Sequence, residues 1–326
     1  MTDLEKKACI LIRRKSAVSR AELARKLCVS RPTASVIVEN LLAAGLIREC
    51  GKGPSNGGTM PTLLSPREDA AFLAGIDFGY CDRMSAVLVD WAGNIVEKAE
   101  TEFDPDNEAG MIAAAADLLE QLSPGRCVRG AAIALSAVVD EKSRRVLKSI
   151  NRIFGKGEFP ANLSQVLGIP VFVANRSRAA AVAEAFGGAA EGQDDFALIS
   201  LGKSIGASFW CAGKLFCGAS SAAGEIRNLR LADGESFESA IARAGINREK
   251  IAEICGTALN QIVEIMDLPL FVLAGRFADF GADFAEILEK KLAEHGKIKV
   301  RQADFGRFSA ARGSAFLMGE NLIDKL

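Results

Sequence analysis

Residues 19–47, SRAELARKLCVSRPTASVIVENLLAAGLI, read as two helices joined by a tight turn. Leu23, Ala24 and Leu27 recur at the spacing of one helix face. Ser19 is placed to N-cap that helix, with Glu22 three residues on to complete a capping box. Cys28-Val29-Ser30 breaks the pattern. Ser30 then caps a second helix with Pro32 in its first turn, where a missing N–H costs nothing. Gly45 stops it as a C′ glycine. Val36, Ile37 and Leu41 are expected on its buried face. Ser30, Arg31, Thr33 and Ser35 crowd its N-terminal end, the end that helix-turn-helix proteins bring to base edges and phosphates.

Working outward, Leu4, Ala8, Leu11 and Ile12 supply a third helix upstream. Downstream, Leu46–Cys50 and Thr62–Leu64 read as strands on either side of the polar, glycine-rich GKGPSNGG. The expected unit, residues 1–65, is a winged helix-turn-helix. Arg48 and Lys52 are its phosphate or wing contacts. The plain alternative is an amphipathic helix pair inside a core.

Charge supports the first reading. The chain of 326 residues has a formal charge of −1. Residues 1–65 hold 11 Lys/Arg against 5 Asp/Glu, +6, and the remainder holds 29 against 36, −7. A basic small unit on an acidic large one confines attraction for phosphate to one end. The eight cysteines form no CxxC pair, and their spread suggests reduced, buried thiols in a cytoplasmic protein. No apolar run reaches the ~18 residues that would span a membrane. The single histidine, His295, has no partner histidine, so no metal site is expected on it.

Residues 66–71 read as a linker. Beyond it, strands are expected at Phe72–Gly79, Met84–Asp90, Ile95–Phe103, Gly130–Asp140 and Val171–Asn175. Helices are expected at Glu108–Leu122, Ala161–Leu167 and Ser177–Phe186. The pattern then starts again with Phe196–Gly202, a hairpin around Ala212-Gly213, helices, and the strands Leu270–Gly275 and Ile298–Gln302. The turns WAGNI (Trp91–Ile95) and CAGKL (Cys211–Leu215) fall at the same place in each half. The expected fold class is α/β: after the winged unit, a duplicated actin-like, sugar kinase-like domain over 72–326. Its two lobes cover about 72–190 and 191–308, with a closing helix at 309–326 and a cleft between the lobes.

Several stretches carry a family resemblance: SRPTASVIVENLLAAGLI with GPSNGGTMPTLL, then GIDFG, VFVANRSRAAAVAE, SAAGEIRNL, FVLAG and ARGSAFL. In this order they resemble the ROK family (repressors, open reading frames, sugar kinases) over essentially the whole chain, and within it the sugar-responsive repressor branch. The resemblance also marks departures. Family kinases have Asn-Asp after the strand at Val173, the Asp acting as general base. Here Asn175 is followed by Arg176, and a guanidinium cannot accept a proton. The first phosphate loop, Asp-x-Gly-Gly-Thr in the family, reads Asp77-Phe78-Gly79-Tyr80-Cys81. The second, Gly-Thr-Gly-Ile-Gly-Gly-Gly, reads Gly202-Lys203-Ser204-Ile205-Gly206-Ala207-Ser208. The adenosine-side Gly pair is Ala274-Gly275. These departures imply no ATP chemistry. Asn228 at the family's zinc His position, with no cysteine between Asp233 and Gly245, implies no zinc. No cofactor is expected.

Sugar-side positions persist in Asn151, Asn175 and Glu225. With Arg176 and Asn228 they make the expected effector set. Arg176 either pairs with Glu184 or Glu225 or binds an anionic effector. The plain role for Asn175 is a helix cap. The resemblance therefore implies a transcriptional regulator, a repressor of sugar metabolism genes. It would bind an operator duplex as a homodimer or homotetramer and sense a sugar or sugar derivative, with no membrane partner. Two alternatives remain open: an active sugar kinase with a fused DNA-binding domain, and a DNA-binding protein whose large domain only oligomerises.

Overall fold

The structure is a computed structural model, and it describes every residue except 16, 55–59, 80–82, 203, 282 and 293–297. The wing tip, Tyr80, Cys81, Lys203 and His295 thus lie outside the described residues.

The chain begins with α1 (Asp3–Lys15), β1 (Val18–Ser19), α2 (Arg20–Leu27), α3 (Arg31–Ala43), β2 (Ile47–Lys52) and β3 (Thr62–Pro66). Ser19 caps α2 by accepting from the Glu22 N–H, but the capping box is only half made. The Glu22 carboxylate turns instead to Lys15 Nζ at 2.9 Å. Ser30 caps α3 by accepting from the Thr33 N–H, and the Leu46 N–H returns to the Leu41 carbonyl around Gly45. The buried face of α3 is Ala34, Ile37, Val38 and Leu41, whereas Val36 is 60% exposed. Positions 34, 38 and 41 share a face with 37 at helical spacing, and 36 falls outside it. Leu4 is likewise exposed. The inner face of α1 is Glu5, Ala8, Cys9, Ile12 and Arg13. Its polar members are tolerated because each is hydrogen-bonded: Glu5 accepts from Asn40 and the Thr2 N–H, and Arg13 donates to the Trp91 carbonyl. β1, unexpected from the sequence, pairs antiparallel with β3 in a sheet of order β1-β3-β2.

The expected linker is a pinned junction. β3 continues to Pro66, Ser65 is buried, and a 3-10 turn at Glu68–Ala70 accepts the Trp91 N–H on the Glu68 carbonyl at 3.0 Å.

Next come β4 (Phe72–Asp77), β5 (Arg83–Val89), β6 (Ile95–Glu102), α4 (Glu108–Leu122), β7 (Val128–Leu135), β8 (Ala137–Val139) and β9 (Val146–Ser149). They are followed by α5 (Arg152–Lys156), α6 (Phe159–Leu167), β10 (Val171–Asn175) and α7 (Arg176–Ala185). The strand expected over Gly130–Asp140 is broken at Ser136. β7 stays in the main sheet, and β8 leaves it to pair with β9. The second half holds β11 (Phe196–Leu201), β12 (Ile205–Cys211), β13 (Lys214–Phe216), α8 (Phe237–Ala244) and α9 (Arg248–Met266). It ends with β14 (Leu270–Gly275), α10 (Asp283–Leu292), β15 (Lys299–Gln302) and α11 (Ser309–Lys325). The two sheets, β10-β7-β4-β5-β6 and β13-β12-β11-β14-β15, have the same topology: an antiparallel meander joined to parallel strands. The duplication is therefore a property of the backbone.

α7 and α11 lie at the centre. Every residue of α7 is buried, and its alanines bring α11 close. A Cβ on Gly313 would fall 1.7 Å from the Ala179 carbonyl oxygen, so only glycine permits this crossing. α1 docks on α11: Arg14 gives two hydrogen bonds to Glu320 at 2.6 and 2.8 Å, and Lys6 Nζ reaches the Asp324 carbonyl at 2.8 Å.

The expectation of buried thiols holds only for Cys9 and Cys255 among the described residues, where burial pushes the thiols up, Cys9 to about 12. Cys28 and Cys127 are exposed, because each sits at an element end rather than on a packed face. Among the described residues no helix is long and apolar enough to cross a membrane.

Candidate functional site

The ends of β4, β10 and β11 converge on the N-terminus of α7. Asn175 caps that helix, its Oδ1 accepting from the Arg178 N–H at 3.0 Å while its Nδ2 donates to the Ala137 carbonyl at 2.8 Å. Arg176 follows, 4% exposed. Its Nε donates to both carboxylate oxygens of Asp77 at 3.0 and 2.9 Å, and its Nη1 donates to Ser200 Oγ at 2.9 Å. Asp77 is fully buried and also accepts from the Gly79 N–H at 2.8 Å. Burial pushes the Asp77 carboxyl up, and the guanidinium beside it works in the opposite direction. One side chain thus ties a strand end of the first lobe to a strand end of the second.

Three glycines make room for it. A Cβ on Gly79 would fall 2.0 Å from Arg176 Cδ and Nε, one on Gly202 would fall 2.6 Å from Nη1, and one on Gly275 would fall 3.3 Å from Nη2. These glycines belong to the three loops that the family resemblance likens to phosphate and adenosine loops. Arg176 occupies the point where they meet. Its expected partners, Glu184 and Glu225, are not the ones it takes. A helical side chain leans back toward the helix N-terminus, here toward the sheet edge at Asp77. Glu184 lies two turns further along α7 and accepts from the N–H groups of Ala189, Asp304 and Phe305 and from the Ser309 hydroxyl.

Asn175, Arg176 and Glu225 do line one interlobe cleft, whose volume is about 50 Å³. Ligand pockets usually measure roughly 300–1,000 Å³, so this cleft is narrower than an ordinary ligand needs. Asn151 is not in it: its Oδ1 caps α5 at 2.9 Å from the Ile153 N–H and its Nδ2 reaches the Pro105 carbonyl at 3.3 Å. Asn228 is also outside, exposed at the end of the 3-10 turn Ile226–Asn228. Two cations missed from the sequence face the cleft instead: Lys148 on β9 and Arg227, whose Nε is 3.6 Å from Glu225. The only signal for Arg227 was its place beside Asn228 in EIRN. For Lys148 there was none, since β9 was not expected.

At the other end of the chain, Ser30, Arg31 and Thr33 are exposed at the start of α3, with Ser35 partly covered. Ser30 and Thr33 hydroxyls lie 2.7 Å apart and hydrogen-bond to each other. Arg48 is held by Glu68, its Nε donating at 2.8 Å, and Lys52 Nζ donates to Thr62 Oγ1 at 2.6 Å. Arg31 makes no ion pair among the described residues and projects freely.

The ROK family signature matches residues 73–241, about half of the chain. The chain belongs to the ROK family. It is 26% identical over 227 residues to the xylose repressor of Bacillus subtilis, covering 68% of this chain and 58% of that protein. It is 26% identical over 216 residues to the xylose repressor of Caldicellulosiruptor bescii, covering 64% of this chain and 54% of that one. The chain thus spans a little more than half the length of these relatives. Among solved structures, a ROK family transcriptional regulator described as a homologue of the E. coli MLC protein superposes with a TM-score of 0.73 at 18% identity, covering 98% of this chain and 97% of that chain. A ROK family glucokinase from Streptomyces griseus, in complex with glucose and AMPPNP, gives 0.65 at 21% identity, covering 76% of this ROK chain and 99% of that chain. At these identities the structural likeness establishes the fold.

Proposed function

We propose that this ROK protein is a DNA-binding transcriptional regulator, a repressor responsive to a sugar derivative, whose kinase-like body no longer transfers phosphate. The observation that carries the reading is Arg176. It stands where family kinases place a base, and its guanidinium fills the meeting point of the phosphate loops. Phosphoryl transfer needs those loops to cradle a nucleotide. The names of the xylose repressors it resembles support the regulatory half of the reading.

In this reading residues 1–65 are a winged helix-turn-helix. Arg31, Thr33 and Ser35 at the start of α3 read bases or phosphates, and Lys52 contacts the backbone along the wing. Arg48 joins it once Glu68 releases its guanidinium. Two such units on a two-fold-related dimer or tetramer would meet a pseudo-palindromic operator in the cytoplasm. The cleft takes the effector through Asn175 and Glu225, whose paired acceptors and donors suit vicinal hydroxyls. Lys148 and Arg227 favour a sugar phosphate or sugar acid over a neutral sugar. Admitting it requires the lobes to part, which works on the Asp77–Arg176–Ser200 bridge. α7 starts at that bridge and packs on α11, which carries α1, so lobe closure and head position form one bistable unit.

The test is selection of duplexes from a random library by the full chain, followed by binding titrations on the recovered sequence. Arg31→Ala is expected to cost about 1–3 kcal/mol and to relax base preference. Lys52→Ala should weaken all sequences alike and lower the salt slope by about one. An unchanged affinity for Arg31→Ala would place the reading helix elsewhere.

A further inference from the structure

Among the described residues, two other arginines are buried without an ionic partner. Arg13 on α1 is 1% exposed and Arg312 on α11 is 6% exposed, and both line one cavity of about 240 Å³ between the N-terminal unit and the body. Arg13 donates from Nε to the Trp91 carbonyl at 2.8 Å and from Nη1 to the Phe316 carbonyl at 3.3 Å. It lies between the Trp91 and Phe316 rings, 4.6 Å from each centroid. Arg312 gives Nη1 to the Ala183 and Phe186 carbonyls at 2.8 and 2.9 Å and stacks 4.0 Å from the Phe305 ring. Arg13 Nη2 and Arg312 Nε are buried and have no hydrogen-bond partner among the described residues.

Among the described residues no carboxylate comes within 4.0 Å of either guanidinium. The nearby acids are committed elsewhere: Glu320 to Arg14, Asp90 to Asn94, and Glu184 to its backbone donors and Ser309. Glu191, at the exposed rim, is the one acid in the cavity lining among the described residues. Burial pulls both guanidinium pKa values down, that of Arg312 to about 10. A buried charge with no partner is costly, and ring faces and carbonyls offset only part of that cost.

We propose that this cavity binds a small oxyanion, a phosphate ester or a carboxylate of a compact molecule, between Arg13 and Arg312. Two guanidinium groups with unspent N–H donors, set against aromatic rings at one cavity, match an oxyanion in both charge and geometry. The volume is below the roughly 300 Å³ at which ordinary ligand pockets begin, which excludes a nucleotide. Arg13 belongs to the N-terminal unit and Arg312 to α11, so an occupant clamps the unit to the body. The site is separate from the interlobe cleft and does not depend on DNA binding.

The experiment is thermal unfolding of the full chain in inorganic phosphate, with acetate as a second arm, each against chloride at matched ionic strength. A saturable rise in midpoint above chloride is expected. Phosphate alone acting assigns a tetrahedral anion, and acetate acting as well assigns a carboxylate. The rise should disappear in Arg312→Gln and persist in Arg31→Ala. Glu191→Gln, an exposed change that should leave folding intact, should tighten the apparent affinity roughly two- to five-fold by removing a like charge. No saturable response in the wild type, a response that survives Arg312→Gln, or an affinity unchanged in Glu191→Gln would each overturn the proposal.

Discussion

Replacing Arg176 by alanine should destabilise the chain by about 3–5 kcal/mol, the usual cost of removing one partner of a buried ion pair. Asp77 is fully buried, and without the guanidinium it keeps, among the described residues, only the Gly79 N–H. Native domains are stable by about 5–15 kcal/mol, so this loss is a large share of the whole. Urea unfolding measures it. The double replacement Arg176→Met with Asp77→Leu should recover most of the loss, because an apolar pair carries no desolvation cost. A single-mutant loss under about 1 kcal/mol, the range of exposed pairs, would mean that water reaches the pair and that the lobes are not closed on it.

The second large effect is expected at Gly313. In Gly313→Ala the new Cβ would lie 1.7 Å from the Ala179 oxygen, 2.5 Å from its carbonyl carbon and 3.1 Å from the Ala183 nitrogen. All three are backbone atoms, so no side chain can move aside and α11 must back away from α7. Overpacking of this kind costs about 1–3 kcal/mol or more. Amide hydrogen exchange should rise along α7 and α11 before it rises in the outer strands of the two sheets. Gly155→Ala in α5 is the control. Its nearest neighbour would be the Ser149 oxygen at 3.9 Å, and losing a helix glycine should be neutral or stabilising.

Much of this arrangement was legible in the sequence, and the failures have physical causes. α4, β10 and β14 begin and end where periodicity and composition put them, because each couples a strong apolar pattern to a clear terminal signal. β1 is two residues long and carries no period to detect. The alanine- and valine-rich run after Gly130 shows that it is buried but not which sheet it joins, so the break at Ser136 was invisible. Hydrophobicity alone points Val36 and Leu4 inward, whereas Glu5 and Arg13 take the inner face of α1 because tertiary partners satisfy them.

In the site, the family resemblance implies that Arg176 stands at the position of a base. It could not show where a long side chain ends, since Asp77 is 99 positions away. Asn151 and Asn228 were matched by family position, but the local backbone takes Asn151 as a cap and the 3-10 turn carries Asn228 outward. Lys148 and Arg227 reach the cleft through elements that have no sequence period.

The most direct test of the central claim, that the Arg176 guanidinium holds the place a nucleotide would need, is calorimetric titration of the full chain with magnesium-ATP, with and without a panel of hexoses. The account predicts no saturable binding and no sugar phosphorylation above a no-protein control. Saturable ATP binding accompanied by turnover, with Arg176 intact, would contradict it.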